Sequence, residues 1–132
     1  MRQTYSVPIK LEAGLKKQKT YFLNLNQYKK WHFQESNQLK RLFKVAVAKD
    51  IKQLAPIEGK CKVTYTIFYP NKRKFDIDNI GAVVSKFNND ALTELGILED
   101  DNYSVITEIV FKFGGIDKDN PRCDVELESL DD

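Results

Sequence analysis

Apolar and polar residues change rhythm several times along the chain, and each change predicts an element. "TYSVPI" and "KTYFLNL" alternate with a period of two, which predicts two strands with "EAGLKK" as the turn between them. From Asn26 to about Leu54 the apolar residues Leu39, Leu42, Phe43, Ala46 and Val47 recur at three and four positions, the spacing of one helix face. Asn24 or Asn26 is placed to cap that helix, and Pro56 to close it. Alternation returns in "KCKVTYTIFYP", where Cys61, Val63, Tyr65, Ile67 and Tyr69 share a face and Pro70 ends the strand. A basic loop, "NKRK", follows. Beyond Asp78, the residues Ile80, Val83, Val84, Phe87, Ala91, Leu92 and Leu95 fall on one side of a second helix, with Gly96 placed as its C′ residue. "SVITEIVFKF" and "RCDVELES" then read as two strands joined by the polar loop "GGIDKDNP". The order β-β-α-β-α-β-β supplies two main helices for one mostly antiparallel or mixed sheet, a two-layer α+β fold.

Composition narrows this picture without redrawing it. A chain of 132 residues suits one domain, 1–132, large enough to bury a core without disulfide or metal staples. An apolar share of 42% argues against disorder, and no apolar run is long enough to span a bilayer. "MRQTYSVPIK" lacks the apolar region of a secretory signal, so a cytoplasmic protein that makes no use of a membrane is expected. Cys61 and Cys123 lack the spacing of a zinc site and are too few for a disulfide framework, so they read as reduced thiols in or near strands.

Charge changes the picture more. The net charge is only +2, yet residues 1 to 75 hold 17 basic against 4 acidic residues, and the remainder 4 basic against 15 acidic. Such asymmetry suggests a surface for a polyanion beside an acidic patch, unless the halves interleave and neutralise one another.

The acidic patch opens with "DIDN". Were the chain extended there, Asp76 and Asp78 would share a face and could share a hard divalent cation. A third acid from "LEDD" could join them only if the chain folds back after Gly96. Two other readings compete. An aspartate at a helix start can simply cap it. An EF-hand loop is excluded because Ile80 and Phe87 stand where it needs ligands.

The run "DIDNIGAVVSKFNNDALTELGILEDD" resembles the signature of the RusA family of Holliday junction resolvases. Matching positions are Asp76, Asp78 and Asn79, then Lys86, then Asp90, Ala91 and Leu92, then Gly96 with Asp100 and Asp101. One spacing departs from it. The family's lysine lies about four residues after the second aspartate, where this chain has Ala82, and Lys86 comes four residues later, about 12 Å along a helix from Asp78. The resemblance implies a homodimeric endonuclease that resolves four-way DNA junctions by paired nicks and needs Mg²⁺, or Mn²⁺ in its place, but no small-molecule cofactor. Its catalytic set would be Asp76, Asp78, Asp101 and Lys86, with Asp100 as an alternative ligand. Lys72, Arg73, Lys74, Asn79, Asn26, Tyr28, Lys29 and Lys30 would then contact DNA, in a bacterial cell or a phage-infected host. A nuclease for other branched DNA and a non-catalytic nucleic-acid-binding protein remain as alternatives.

Overall fold

The computed structural model describes residues 1–14 and 18–130. Along them lie β1 (Arg2–Val7), β2 (Lys10–Gly14), β3 (Gln18–Phe22), α1 (Leu25–Tyr28), α2 (Phe33–Ile51), β4 (Cys61–Tyr69), α3 (Ile77–Glu94), β5 (Ile106–Ile116) and β6 (Arg122–Ser129). The main sheet has the order β1-β6-β4-β5. Strand β6 is antiparallel to both its neighbours, whereas β4 and β5 are parallel and joined by α3. This is an α+β fold with a mixed sheet and two main helices, as the alternation and helical spacing predict.

The N-terminal region departs from expectation. Three strands form there instead of two, because the chain breaks at Pro8 and Lys10–Gly14 pairs with Gln18–Phe22 in a separate hairpin. Glu12, Ala13 and Gly14 of the predicted turn therefore belong to a strand, while positions 15–17 lie outside the described residues. Leu11 and Ala13 are buried and alternate with exposed Lys10 and Glu12, a pattern too short to stand out in the sequence. The first predicted helix is also two helices. The side chain of Asn24 accepts the Gln27 N–H at 2.9 Å and caps α1, which is a single turn, and α2 starts afresh at Phe33. The buried stripe of α2 is Leu39, Phe43, Val47 and Ile51, so Leu42 and Ala46 face outward.

The helices cover one face of the sheet. Cys61, Val63, Tyr65 and Ile67 of β4 and Cys123, Val125 and Leu127 of β6 are buried in a single core with α2 and α3. Both cysteines are free and buried, and burial pushes the Cys123 thiol up to about 12, which leaves it inert. Phe87 is the hub between helices, its ring 5.8 Å from Phe43, 6.3 Å from Tyr28 and 6.4 Å from Trp31.

Two features fix where α3 sits. A Cβ on Gly81 would lie 2.7 Å from the ring of Phe111, so glycine lets the helix approach β5 there. Farther along, the Tyr5 hydroxyl donates to Asn88 at 2.8 Å, the Asn88 amide donates to the Tyr65 hydroxyl at 3.1 Å, and that hydroxyl donates to Asn89. This closed network ties β1, β4 and α3 together, and burial raises the pKa of both tyrosines. Gly96, at φ +81°, ends the helix as expected. Among the described residues, no helix is long and apolar enough to cross a membrane.

Candidate active site

A cleft of about 1060 Å³ opens where β4 ends, the basic loop passes, and α3 begins. It lies at the carboxyl end of the parallel pair, where open sheets with a helical crossover commonly bind ligands. Its walls include Asn24, Asn26 and Gln27 from the α1 region, Asn71 to Asp76 from the loop, and Ile77 and Asn79 from α3. Apolar surface comes from Tyr69, Phe75 and Phe113, with Phe75 stacked on Tyr69 at 4.4 Å and edge-on to Phe113 at 6.0 Å.

Local chemistry explains how the walls are set. The Asn79 side-chain oxygen accepts the Leu25 N–H at 3.2 Å, pinning α1 against the start of α3. The Asn71 side chain accepts the Arg73 N–H at 2.9 Å and shapes the basic turn. Lys72, Arg73 and Lys74 are exposed and enter no ion pair among the described residues. Arg2–Glu128 and Lys44–Glu94 pair the basic half with the acidic half away from this loop, so neutralisation by interleaving does not account for the loop.

Asp76 holds the N-cap position of α3, and Asp78 lies in its first turn. The Asp76 carbonyl accepts the Asn79 N–H at 3.0 Å, but its side chain makes no capping hydrogen bond. A plain capping role therefore leaves the carboxylate unexplained. Asp78 is exposed, and neither acid forms an ion pair among the described residues. The extended geometry expected through Asp78 is corrected here, since the helix already begins at Ile77.

The acidic turn lands elsewhere. Because Cys61 pairs with Ile106 in the parallel register, β5 starts beside the beginning of β4, and Asp100 and Asp101 precede it. Nine residues of β4, roughly 30 Å of strand, separate that edge from the cleft. The chain does fold back after Gly96, but toward the end of α3 opposite Asp76 and Asp78. Among the described residues, no group of three or more His, Cys, Asp or Glu side chains is gathered to hold a metal ion. Asp100 is occupied by its own turn, accepting the Asp101 N–H at 2.7 Å and the Asn102 amide at 3.0 Å. The Asp101 carboxyl is held above its ordinary pKa by partial desolvation, by its hydrogen bond with Asp100, and by the charges of Asp100 and Asp90.

The other candidates divide. Asn26, Asn79 and the three loop cations line the cleft with Asp76. Tyr28 is half-buried, its ring edge-on to Trp31 at 5.7 Å as well as to Phe87, while Lys29 and Lys30 are exposed beyond it. Lys86 is exposed on α3 and, with the helix starting at Ile77, stands about 12 Å along the axis from Asp78. Sequence reasoning missed Tyr69, Phe75, Phe113, Asn24 and Gln27 as cleft residues. Only their proximity to "NKRKFD" hinted at some of them.

No curated protein matches the chain. The family model for endodeoxyribonuclease RusA matches residues 13–128. Nucleases of this family act on DNA junctions and are generally metal-dependent. With its signature run placed at the cleft and around α3, and with the match covering most of its length, the chain belongs to the RusA endodeoxyribonuclease family.

Proposed function

We propose that this enzyme is a Mg²⁺-dependent resolvase that cuts four-way DNA junctions by paired symmetric nicks as a homodimer, in the cytoplasm of a bacterial or phage-infected cell. The observation that carries the reading is the cleft itself. Three cations flank the Asp76 carboxylate, which makes no capping hydrogen bond, and none of the four enters an ion pair among the described residues, in a space with aromatic walls. Lys72, Arg73 and Lys74 draw a sugar–phosphate strand toward the site, and Asn26 and Asn79 offer amide groups to it.

A hard ion takes oxygen ligands, which Asp76 in the cleft wall and Asp78 in the first turn of α3, no longer on one extended face, would offer together with substrate phosphate oxygens. Such an ion, when bound, lowers the pKa of a coordinated water and offsets charge at the scissile phosphate. Asp101 joins this set from a second copy. Within one copy it lies near Asp90, twelve residues and about 18 Å of helix beyond Asp78. Two copies with antiparallel α3 helices place the Asp101 end of each beside the Asp78 end of the other. Asp101 is the ligand in preference to Asp100, whose oxygens are taken by the turn. Lys86, midway along α3, meets a phosphate oxygen from the same seam.

The test compares cleavage of a four-way junction, a flap and linear duplex with Mg²⁺ or Mn²⁺ present. Paired nicks confined to the junction are expected, and cleavage confined to flaps would replace the resolvase reading with that of another branched-DNA nuclease. Replacing Lys72, Arg73 and Lys74 together with Ala is expected to weaken junction binding at low salt. The slope of log affinity against log salt should fall by about two to three, near 0.9 for each phosphate that is no longer neutralised. An unchanged slope would place the DNA elsewhere.

A further inference from the structure

Strand β5 is an outer strand eleven residues long, paired with β4 alone among the described residues. It exposes apolar side chains: Ile109 is 44% exposed, Phe113 50% and Ile116 49%. The opposite outer strand, β1, is shorter and mostly polar. A long edge with free N–H and C=O groups and an apolar stripe is a template for another strand unless something covers it.

Its sequence says which strand. Between register shifts near its two ends, β5 runs regularly through "EIVFKF". Turned about a two-fold axis at Val110, it pairs antiparallel with its own copy, which sets Glu108 opposite the partner's Lys112 and Lys112 opposite the partner's Glu108. Directly opposed residues share a face in an antiparallel pair, so both contacts form together on the open side of the sheet. On the helix-covered side, Ile109 meets the partner's Phe111. Within one copy, Glu108 and Lys112 are exposed and belong to no ion pair among the described residues, although Glu108 lies beside Lys62 in the β4–β5 register. Opposite charges four residues apart, centred on an apolar residue, complement themselves only in this register.

We infer that β5 is the dimerisation edge, joining two four-stranded sheets into one through the Glu108–Lys112 register. This rests on the reading of the enzyme as a dimer and specifies its surface. The same two-fold brings the start of β5, with the Asp100–Asp101 turn before it, toward the partner's Phe113 and its cleft.

Solution mass measured without DNA or metal tests this. Wild type at micromolar concentration is expected at twice the 15.3 kDa of one chain. E108K and K112E each replace two attractive pairs with two repulsive ones, and each should raise the dissociation constant by about tenfold or more. The double variant E108K/K112E should recover a wild-type value. Thermal unfolding of the monomer, read at dilutions where every variant is dissociated, should be unchanged for K112E and lowered only slightly for E108K, whose new lysine lies beside Lys62 across the β4–β5 ladder. A monomeric wild type, single variants as dimeric as wild type, or a double variant that fails to recover would each overturn the inference. Junction cleavage by wild type is scored separately. A dimer sensitive to these swaps that cuts no junction sinks the proposed function alone, and an active enzyme whose mass ignores them sinks this interface alone.

Discussion

Asp78→Asn is expected to slow junction cleavage by about three orders of magnitude, ~4 kcal/mol of barrier, while the variant still binds the junction. The amide keeps the size of the side chain but removes the charge that would hold a divalent ion. It also removes a negative charge from the path of the DNA, so affinity measured in a gel shift or by anisotropy should hold or tighten. Fold stability should barely change: the side chain is exposed, and an acid in the first turn of a helix contributes about 0.3–1 kcal/mol through the helix dipole. Retained cleavage with this variant would refute the role of the carboxylate. Asp101→Asn provides a useful contrast. The folded protein raises the pKa of that carboxyl, so its contribution favours the fold at low pH and is lost as pH rises through the folded pKa. Asparagine imitates the protonated form permanently. Loss of cleavage should therefore come with an unfolding temperature at neutral pH that is equal to or slightly above wild type.

How much of this was legible beforehand follows from which signals survive folding. The β4 alternation from Cys61 to Ile67 and the spacing of Ile80, Val83, Val84, Phe87, Ala91 and Leu92 report one buried face each, and both elements formed accordingly. The same spacing hid Ser85, Asn88 and Asn89, which are buried too. Polar residues enter a core when partners await them, and Tyr5 and Tyr65 arrive from distant strands that no local pattern reveals. The site was legible in its residue types and illegible in its assembly. "DIDN" and "LEDD" flank one helix, and nothing in their spacing says that the following strand runs parallel to β4. The 18 residues of α3, about 27 Å of rise, carry the two acidic groups to opposite ends of the sheet, and the parallel strand starts where the second one lands. Hydropathy likewise ran "LNLNQYKKWHF" into the longer helix, although Asn24 caps one turn and Phe33 starts another.

Phe87→Ala is expected to cost about 3–5 kcal/mol, a large share of the 5–15 kcal/mol that holds a typical domain together. Its ring is 2% exposed and is met by Phe43 from α2, by Tyr28 from the end of α1, and by Trp31 from the segment between them. No neighbour can follow the truncated side chain, since Trp31 is also committed to Tyr21 at 6.0 Å and Phe43 belongs to the α2 stripe. A drop of roughly 10–25 °C in melting temperature follows for a domain of this size. Phe87→Leu, which keeps most of the volume, should lose far less. The damage should also reach the cleft by a defined route. α1 carries Asn26 and Gln27 into its wall, and two ties hold it against α3: the Leu25 N–H bonded to Asn79, and Tyr28 packed on Phe87. With the second tie gone, the wall loosens while Asp76 and Asp78 stay at the head of α3. Below its melting temperature, the Ala variant should therefore bind junctions more weakly than wild type yet cleave what it binds at a similar rate. A loss of under about 1 kcal/mol in urea unfolding would mean that these rings touch without interlocking.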